Sequence, residues 1–574
     1  MEVLVADLRK AEPRGALCGP ARGGWSAVPY EAEGISGHIL VTVNGQGAPP
    51  VRIRLPASGL YEIRLGTYYG HTAWVQAALA VSSGGRTFTR VRLLGDEHWD
   101  TVEAEHYGPR EGEHPEKQVK LNEMLEMRWR VARLEGSELE IAPVDRKFAE
   151  GTLASLAYVR LVPLDEVQYR TEMPRPDTKR LVAVFDGTFY GNFPRDEEEI
   201  WGYFEPMKGS DFSLVFWATC RLDACYYLSE VGRPLTPLPE GILNRRTYIL
   251  RDFQRWVEKG KDPLEVAVDA AHELGLEIYG SMRLTGLEIP PFHQFHGAPT
   301  FMTEHPELWT VDASGHRVPH LSLAFPEVRN FIVRLFREQA ERYGIDGVHV
   351  LFNRSFPFVL FEEPFVRDFV KRYGEDPRNL DPSDPRLWEQ RSEYTTALLR
   401  ELRATLDDVV RRKGRRLGIA VHAMNSLRNN LYFGLDVVRW AKEGLVDHLV
   451  LHPCSSVEAV ENGAVTPDAL VGVTDALRGT GVRVYVDLYP RRNPPEKIAR
   501  KVLEYYRAGV DGISFWDTYA RMWRKSEWSA IRLCGHREEL ERWEGKARSF
   551  WRKVRVDSID GISLDPRYGV QTHG

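Results

Sequence analysis

Ala508-Gly-Val-Asp-Gly-Ile-Ser-Phe-Trp-Asp517 and Tyr343-Gly-Ile-Asp-Gly-Val-His-Val350 are near-copies of one joint, and Gly444-Leu-Val-Asp-His-Leu-Val-Leu451 is a looser third. Each ends a helical pattern at or beside a glycine, passes an aspartate and enters a short run of buried-strand residues. A helix–Gly–x–Asp–strand joint used again and again is a repeated βα unit. The aspartates inside the joints, Asp346, Asp447 and Asp511, fall at strand starts. That is the stability face of a barrel, so they are set aside as site residues.

Working outward, three apolar runs finish on aspartate: Leu181-Val-Ala-Val-Phe-Asp186, Val482-Arg-Val-Tyr-Val-Asp487 and Gly512-Ile-Ser-Phe-Trp-Asp517. Runs this short and rich in Val, Ile, Phe and Tyr read as buried parallel strands. The full set is 181–186, 213–217, 276–282, 347–353, 417–422, 446–452, 482–487 and 512–517. Helical patterns lie between most of them. Asp262-Pro263 opens one that carries Leu264, Ala267, Val268 and Ala271 on one face; Thr466-Pro467 and Asn493-Pro494 open others. Eight strands in this order predict a (β/α)8 TIM barrel. Its extra length falls after the third and fourth strands, on the active face. A doubly wound open sheet is the alternative fold, but no G-x-G-x-x-G follows any strand.

The first 170 residues read differently. Short runs such as Gly37-His-Ile-Leu-Val-Thr-Val43, Met127-Arg-Trp-Arg-Val131 and Leu156-Ala-Tyr-Val-Arg-Leu161 alternate apolar and polar residues between turn signals. This predicts an all-β sandwich of jelly-roll type over 1–170, a polar linker over 163–180, and the barrel as a catalytic domain over 171–574.

Composition narrows the function classes. The 574 residues carry a formal net charge of −6, so no basic footprint for nucleic acid exists. No run of eighteen apolar residues offers a membrane span. The N-terminus lacks the basic and apolar segments of a signal peptide. The five cysteines, Cys18, Cys220, Cys225, Cys454 and Cys534, include no Cys-x-x-Cys pair. The expected location is cytoplasmic. A homo-oligomer is compatible with the sequence but not required by it.

Barrel closure makes the eighth strand a neighbour of the first, so Asp487, Asp517 and Asp186 form one acidic arc at the mouth. Any one of them alone reads equally well as a helix cap. Across the mouth stand Arg283, Asn353 with Arg354, His422 and His452, and Arg221 with Asp223 follows the second strand. Each has a plain reading as a packed or core residue; together they make a charge-paired polar cup. Pro290-Pro-Phe-His-Gln-Phe-His296, Trp309, Phe356, Phe358, Trp516 and Trp523 add aromatic surface near the strand ends. Rings that stack on C–H faces, beside charged groups that bond hydroxyls, are how proteins hold sugars. Some of these aromatics are expected to be loop anchors, and Trp516 to point into the barrel wall as readily as into the site.

The barrel half resembles the family-10-like glycosyl hydrolases, a loosely defined group of bacterial barrel glycosidase homologues. The residues that carry the resemblance are His305-Pro-Glu-Leu-Trp309 with Asp312-Ala-Ser-Gly315, Pro326-Glu-Val-Arg329, Tyr343-Gly-Ile-Asp-Gly-Val-His349 and Gly509-Val-Asp-Gly-Ile-Ser-Phe-Trp-Asp517. The resemblance implies a sugar-active barrel. It departs at the end of the fourth strand, where relatives carry Asp-Arg and this chain has Asn353-Arg354; Glu362 and Glu363 on the following loop offer a replacement carboxylate.

The leading expectation is therefore a glycoside hydrolase that cleaves an O-glycosidic bond with two carboxylates, without cofactor or metal. Asp487 is the first choice for nucleophile or base. Asp517, Asp186, Asp223 and Glu362 compete for the acid. Arg221, Asp223, Arg283, Asn353, Arg354, His422, His452 and Trp516 are the expected carbohydrate-binding residues. A metal-dependent isomerase or phosphoesterase is the second expectation, with Asp186, Asp487, Asp517 and His422 or His452 as ligands. A non-catalytic sugar-binding barrel is the third, carried by Asn353. No strand-end lysine supports a Schiff-base aldolase.

Overall fold

The computed structural model describes residues 1–68, 78–82, 89–92, 121–144, 151–172, 177–186, 193–222, 224–234, 247–284, 300–354, 356–452, 466–488, 495–516, 518, 530–542 and 551–568. Eight parallel strands lie in barrel order: Leu181–Phe185, Phe212–Arg221, Glu277–Arg283, Gly347–Leu351, Gly418–Ala423, His448–Leu451, Arg483–Asp487 and Gly512–Phe515. The first pairs in parallel with both the second and the eighth, so the sheet closes. All eight strands read from the sequence are present, with ends shifted by a few residues. The second runs past its expected end to Arg221 and folds back as Ala224–Cys225.

The repeated joint has a physical explanation. Asp346 Oδ2 accepts the Ile278 N–H at 2.9 Å, Asp447 Oδ2 the Ile419 N–H at 2.9 Å and Asp511 Oδ2 the Val484 N–H at 2.8 Å. Each aspartate ties the start of its own strand to a neighbouring strand. The glycines beside them serve the floor. Tyr279 and Tyr485 fill the bottom of the barrel. A Cβ on Gly347 would stand 2.7 Å from the Tyr279 ring, and one on Gly418 would fall on the Tyr279 hydroxyl. The floor therefore needs glycine where a tyrosine ring crosses the strand starts.

Helix entries follow the capping signals. Asp262 accepts the Leu264 N–H at the head of Pro263–Glu273, and Thr466 accepts the Ala469 N–H at the head of Pro467–Leu477. The polar stretch after Pro163 is not all linker. Asp165 and Gln168 bond each other's backbone N–H in a capping box, and Glu166–Glu172 is helical.

The N-terminal region holds two antiparallel sheets. The larger runs, in order, Val3–Val5, Tyr158–Pro163, Ser58–Thr67, Glu123–Glu135, Trp551–Ile559, Ser26–Ala32, Ile35–Val43 and Leu153–Leu156, with Ile562–Ser563 beside Trp551–Ile559. The smaller is Val51–Arg54, Glu138–Ala142, Ala78–Ser82 and Thr89–Arg92. One apolar cluster draws on both sheets, including Trp25, Leu40, Ile63, Leu125 and Trp129 with Ile53, Leu79 and Ile141.

One strand of that sheet comes from the far end of the chain. Trp551–Ile559 pairs with Glu123–Glu135 on one side and Ser26–Ala32 on the other. A division at 170/171 places this segment with the barrel, whereas its hydrogen bonds lie in the N-terminal sheet. Arg552 also reaches the buried carboxylate of Glu126, which Tyr158 Oη and Arg160 Nε bond at 2.6 and 2.9 Å. Burial raises the Glu126 carboxyl, but these donors outweigh it and hold it below its ordinary value. The barrel meets the sheet through Arg130, which pairs with Glu205 at 2.7 Å.

A chain ended at residue 550 lacks the strand that joins the two halves of the larger sheet. It is expected to lose soluble expression or to melt well below the parent in calorimetry. Coincident melting of the two would show the strand to be dispensable.

Candidate functional site

Side chains alternate along a strand, so every second residue of the barrel strands faces the interior. Above the tyrosine floor come Val182, Val184, Leu214, Phe216, Ala420 and Val450. Above these the interior turns polar. The third strand contributes Ser281 and Arg283, the fourth His349, the fifth His422, the seventh Asp487 and the eighth Ser514; Asp186, His452 and Trp516 stand just past the ends of the first, sixth and eighth.

These side chains bond each other. Asp487 is fully buried, and its Oδ2 is approached by His422 Nε2 at 2.9 Å and His452 Nδ1 at 2.6 Å. His422 Nδ1 stands 2.7 Å from His349 Nε2, and His349 Nδ1 2.7 Å from Ser281 Oγ. Asp487 Oδ1 and Ser514 Oγ are buried and have no hydrogen-bond partner among the described residues. Rings wall the chain. His349 stacks on Phe216 at 4.0 Å, and Trp516 lies 4.6 Å from the His452 ring and edge-on to His422 at 5.0 Å. Trp516 thus packs between two histidines inside the barrel.

The electrostatics follow from this packing. Burial raises the Asp487 carboxyl, but His422 and His452, which bond its Oδ2, overcome it and hold the group well below the usual carboxylate range. Burial, then His422, pushes His349 well below its ordinary value, against the pull of Asp487. Tyr505 is the further titratable group that feels Asp487.

Asp186 is also buried, and Arg283 meets it with both arms of its fork; Arg283 Nε stands 2.7 Å from Asp186 Oδ1, and Nη2 bonds Oδ2. Arg283, expected to bind carbohydrate, is found paired with this strand-end aspartate. Arg221 lies beside Arg283 in register, nearly buried, and the Leu222 N–H donates to the Arg283 carbonyl at 2.8 Å. Asn353 is fully buried in the turn Phe352–Arg354. The Arg354 side chain, Asp223, Asp517, the 290–296 segment and Trp523 lie outside the described residues.

Glu362 serves the loops. It takes the Val311 N–H at 3.2 Å and the Leu360 N–H at 3.0 Å, joining the Trp309–Val311 and Arg317–Leu321 hairpin to the loop after the fourth strand. Burial is the main cause that lifts its carboxyl to about 7, against the backbone donors that lower it. Trp309, Phe356 and Phe358 are loop anchors: Trp309 Nε1 donates to the Met302 carbonyl, Phe356 packs on Phe433 and Phe358 on Phe352.

The structure brings Asp487 against His422 and His452, and Asp186 against Arg283. Sequence reasoning instead set Asp487, Asp517 and Asp186 in one arc with Arg283, His422 and His452 across the mouth, and it missed Ser281 and His349, which sit inside their strands and not at their ends. The available signal was the period of two: His349 shares the inward register of Gly347 and Leu351. Among the described residues, the one cluster of donor atoms close enough to hold a metal ion is Asp177, Asp211 and His536. Asp211 adjoins the start of the second barrel strand, so that cluster is away from the strand ends described here. Both ring nitrogens of His422 are already engaged with protein groups. No helix among the described residues is long and apolar enough to cross a membrane.

Fold and site together define a TIM barrel whose mouth carries a charge-fixed aspartate, with an antiparallel sandwich attached. Residues 242–500 match the family described as Glycosyl hydrolase-like 10, and the barrel carries that signature from its third to its seventh strand. The match stops short of the Gly509–Asp517 joint. No curated protein matches the chain. Among solved structures it is similar to α-L-fucosidase isoenzyme 2 from Paenibacillus thiaminolyticus, with 14% identity, a TM-score of 0.40 and coverage of 64% of this chain and 50% of that one. It is similar to the Thermus thermophilus α-galactosidase TtGalA at 14% identity and a TM-score of 0.35, covering 89% and 95%. For the Clostridium thermocellum N-terminal endo-1,4-β-D-xylanase 10B the figures are 11%, 0.30, 86% and 86%. The chain spans about half the length of the fucosidase and of a Marinomonas β-galactosidase, 50% and 53%.

The Glu362 carboxyl gives a pH test. Its value is 4.5 in the unfolded reference and about 7 when folded. Between those values the folded state binds more protons, so stability falls as pH rises through the window, by on the order of 3 kcal/mol. Glu362→Gln cannot ionise. The melting temperature of the variant relative to the parent should therefore rise from pH 5 to pH 8, whatever fixed cost the amide brings. A pH-independent difference would show that Glu362 does not carry the shift.

Proposed function

We propose that the protein is a glycoside hydrolase that cleaves an O-glycosidic bond of an oligosaccharide or glycoside, with Asp487 as nucleophile or general base. The observation that carries this reading is the asymmetry of Asp487. Two histidines donate to one carboxylate oxygen, and the other has no partner among the described residues. A carboxylate that attacks an anomeric carbon, or takes a proton from water, needs to be ionised and to keep one oxygen unengaged. The family match supports a sugar-active barrel.

The second carboxylate must carry a proton. Asp186 is poorly suited, because a bidentate guanidinium partner uses both its oxygens as acceptors. Glu362 has the raised value of an acid, but its oxygens take backbone N–H groups between two loops. Asp517 stands two residues past the eighth strand and is assigned the acid role by position. Asp223 is its competitor. Arg221, Arg354 and Asn353 are assigned to carbohydrate hydroxyls, and Arg283 to fixing Asp186. The metal-dependent reading would have to break the bonds His422 makes to His349 and Asp487.

Asp487→Asn removes the charge and keeps the shape. On whichever p-nitrophenyl glycoside the parent hydrolyses best, the variant should lose at least about 100-fold in kcat, the lower end of what a positioned proton-transfer or nucleophilic group supplies. Parent activity should survive EDTA. Parental rates in the variant would remove Asp487 from the chemistry, and loss in EDTA restored by a divalent ion would replace the hydrolase reading with the metal-dependent one.

A further inference from the structure

Four side chains below the mouth form one hydrogen-bonded line that no expectation included: Ser281, His349, His422 and Asp487, with links of 2.7, 2.7 and 2.9 Å. Ser281 is 3% exposed and the other three 0%. They come from four different strands, and no bulk water reaches the line from the floor side, which Tyr279 and Tyr485 fill.

The chemistry of the donors restricts the line to two proton patterns. An ionised Asp487 only accepts, so His422 Nε2 carries a proton. If His422 is neutral, its Nδ1 accepts, and His349 must present Nε2–H to it. His349, neutral because burial disfavours its charge, then accepts at Nδ1, and the Ser281 hydroxyl donates. If instead His422 is an imidazolium, its bond to Asp487 keeps its direction, the two links below it reverse, and Ser281 accepts. The second pattern puts another full charge beside Phe216 and Trp516, which meet the His422 ring at 5.8 and 5.0 Å. The first keeps Asp487 as the only ion in the line, which is the less costly arrangement in an apolar interior.

We propose that Ser281 and His349 are positioning residues: the Ser281 hydroxyl sets the tautomer of His349, which sets that of His422, which presents Nε2–H to Asp487 and turns its unengaged oxygen to the mouth. The line is an orienting device and carries no proton to solvent, because it ends at Ser281. This rests on the reading of Asp487 as the reactive carboxylate. Without the line, His422 can turn its lone pair to the carboxylate and repel it. The same logic governs catalytic histidines whose tautomer is fixed by a buried partner.

The test uses the full chain with histidine labelled in the ring nitrogens, read by long-range nitrogen–hydrogen correlations from pH 6 to pH 8. His349→Phe and His422→Phe assign the two rings. Both should be Nε2–H tautomers, His349 donating to His422 and His422 to Asp487. In Ser281→Ala the signals of both rings should move, including His422, which Ser281 does not touch; Ser281→Thr, which keeps the hydroxyl, should restore them. An imidazolium at His422, Nδ1–H tautomers, or an unmoved His422 signal in Ser281→Ala would each overturn the proposal. Should Ser281→Ala fail to fold, the parent tautomers alone decide it. On the p-nitrophenyl glycoside the parent hydrolyses, Ser281→Ala should lower kcat roughly 10- to 100-fold with KM nearly unchanged, the scale for residues that orient a reactive group from behind. A KM effect without a kcat effect would overturn the positioning role. If the parent hydrolyses no such glycoside, the hydrolase reading fails while the ring signals still decide whether Ser281 and His349 set the tautomer of His422.

Discussion

A carboxylate at zero exposure inside a barrel lined with rings is the constraint around which the upper half of this structure is arranged. Moving an ion into such a place costs several kcal/mol even after relaxation. Hydrogen bonds to a charged group return about 1.5–3 kcal/mol each. Two donors, His422 and His452, more than offset the burial of Asp487, since its carboxyl is held well below the usual range. A buried carboxylate that takes two histidines from two strands to keep it ionised has the environment often found at functional sites. The demand then passes down the line. His422 needs a partner for its other nitrogen, His349 supplies it, and Ser281 completes His349. Each buried polar group is satisfied only by adding another, until the chain ends on a hydroxyl that can turn either way.

The two ends of the barrel use aspartate in opposite ways. At the floor, Asp346, Asp447 and Asp511 accept backbone N–H groups and knit adjacent strands. Their oxygens are spent on the fold. At the mouth, Asp186 is held by a guanidinium and Asp487 by two imidazoles, so side chains and not backbone set their state. Backbone partners fix geometry permanently; side-chain partners leave the charge open to tuning by neighbours. The glycines follow the same split: Gly347 and Gly418 give the Tyr279 ring its room at the floor, so that the plug beneath the polar layer is dense.

Much of this was readable from the chain because it is local. The eight strands and their order follow from apolar runs separated by capped helices, and the floor aspartates from the repeated joint. Asp487, His422 and His452 were legible as candidates because all three stand at or just past strand ends, but their contact with one another was not. What escaped is non-local or hidden by register. Trp551–Ile559 pairs with strands more than four hundred residues away in sequence, and nothing in its own alternation names its partners. Ser281 and His349 lie one inward step below the strand ends, where a polar residue reads as a packed core position. The partner of Arg283 was not legible, since a strand-end arginine faces several carboxylates and geometry alone selects Asp186. Glu362 shows the converse: loop position suggested an acid, and the loop's own backbone N–H groups had already claimed it.

The barrel end and the loops above it thus hold their carboxyl groups in contrasting environments. Acid and base roles separate when neighbouring groups are pushed in opposite directions. Asp487 is pushed down by imidazoles; Glu362 is pushed up to about 7 by burial in the loop layer. A raised value alone does not make a proton donor, because the proton must sit on an oxygen that faces the leaving group. Glu362 spends its oxygens inward on Val311 and Leu360. Burial at this junction of two loops favours the neutral carboxyl, against the N–H groups that favour the ionised one. The depressed group at the barrel end and the elevated group in the loops answer to different physics, and only the first combines a fixed charge with an unengaged oxygen.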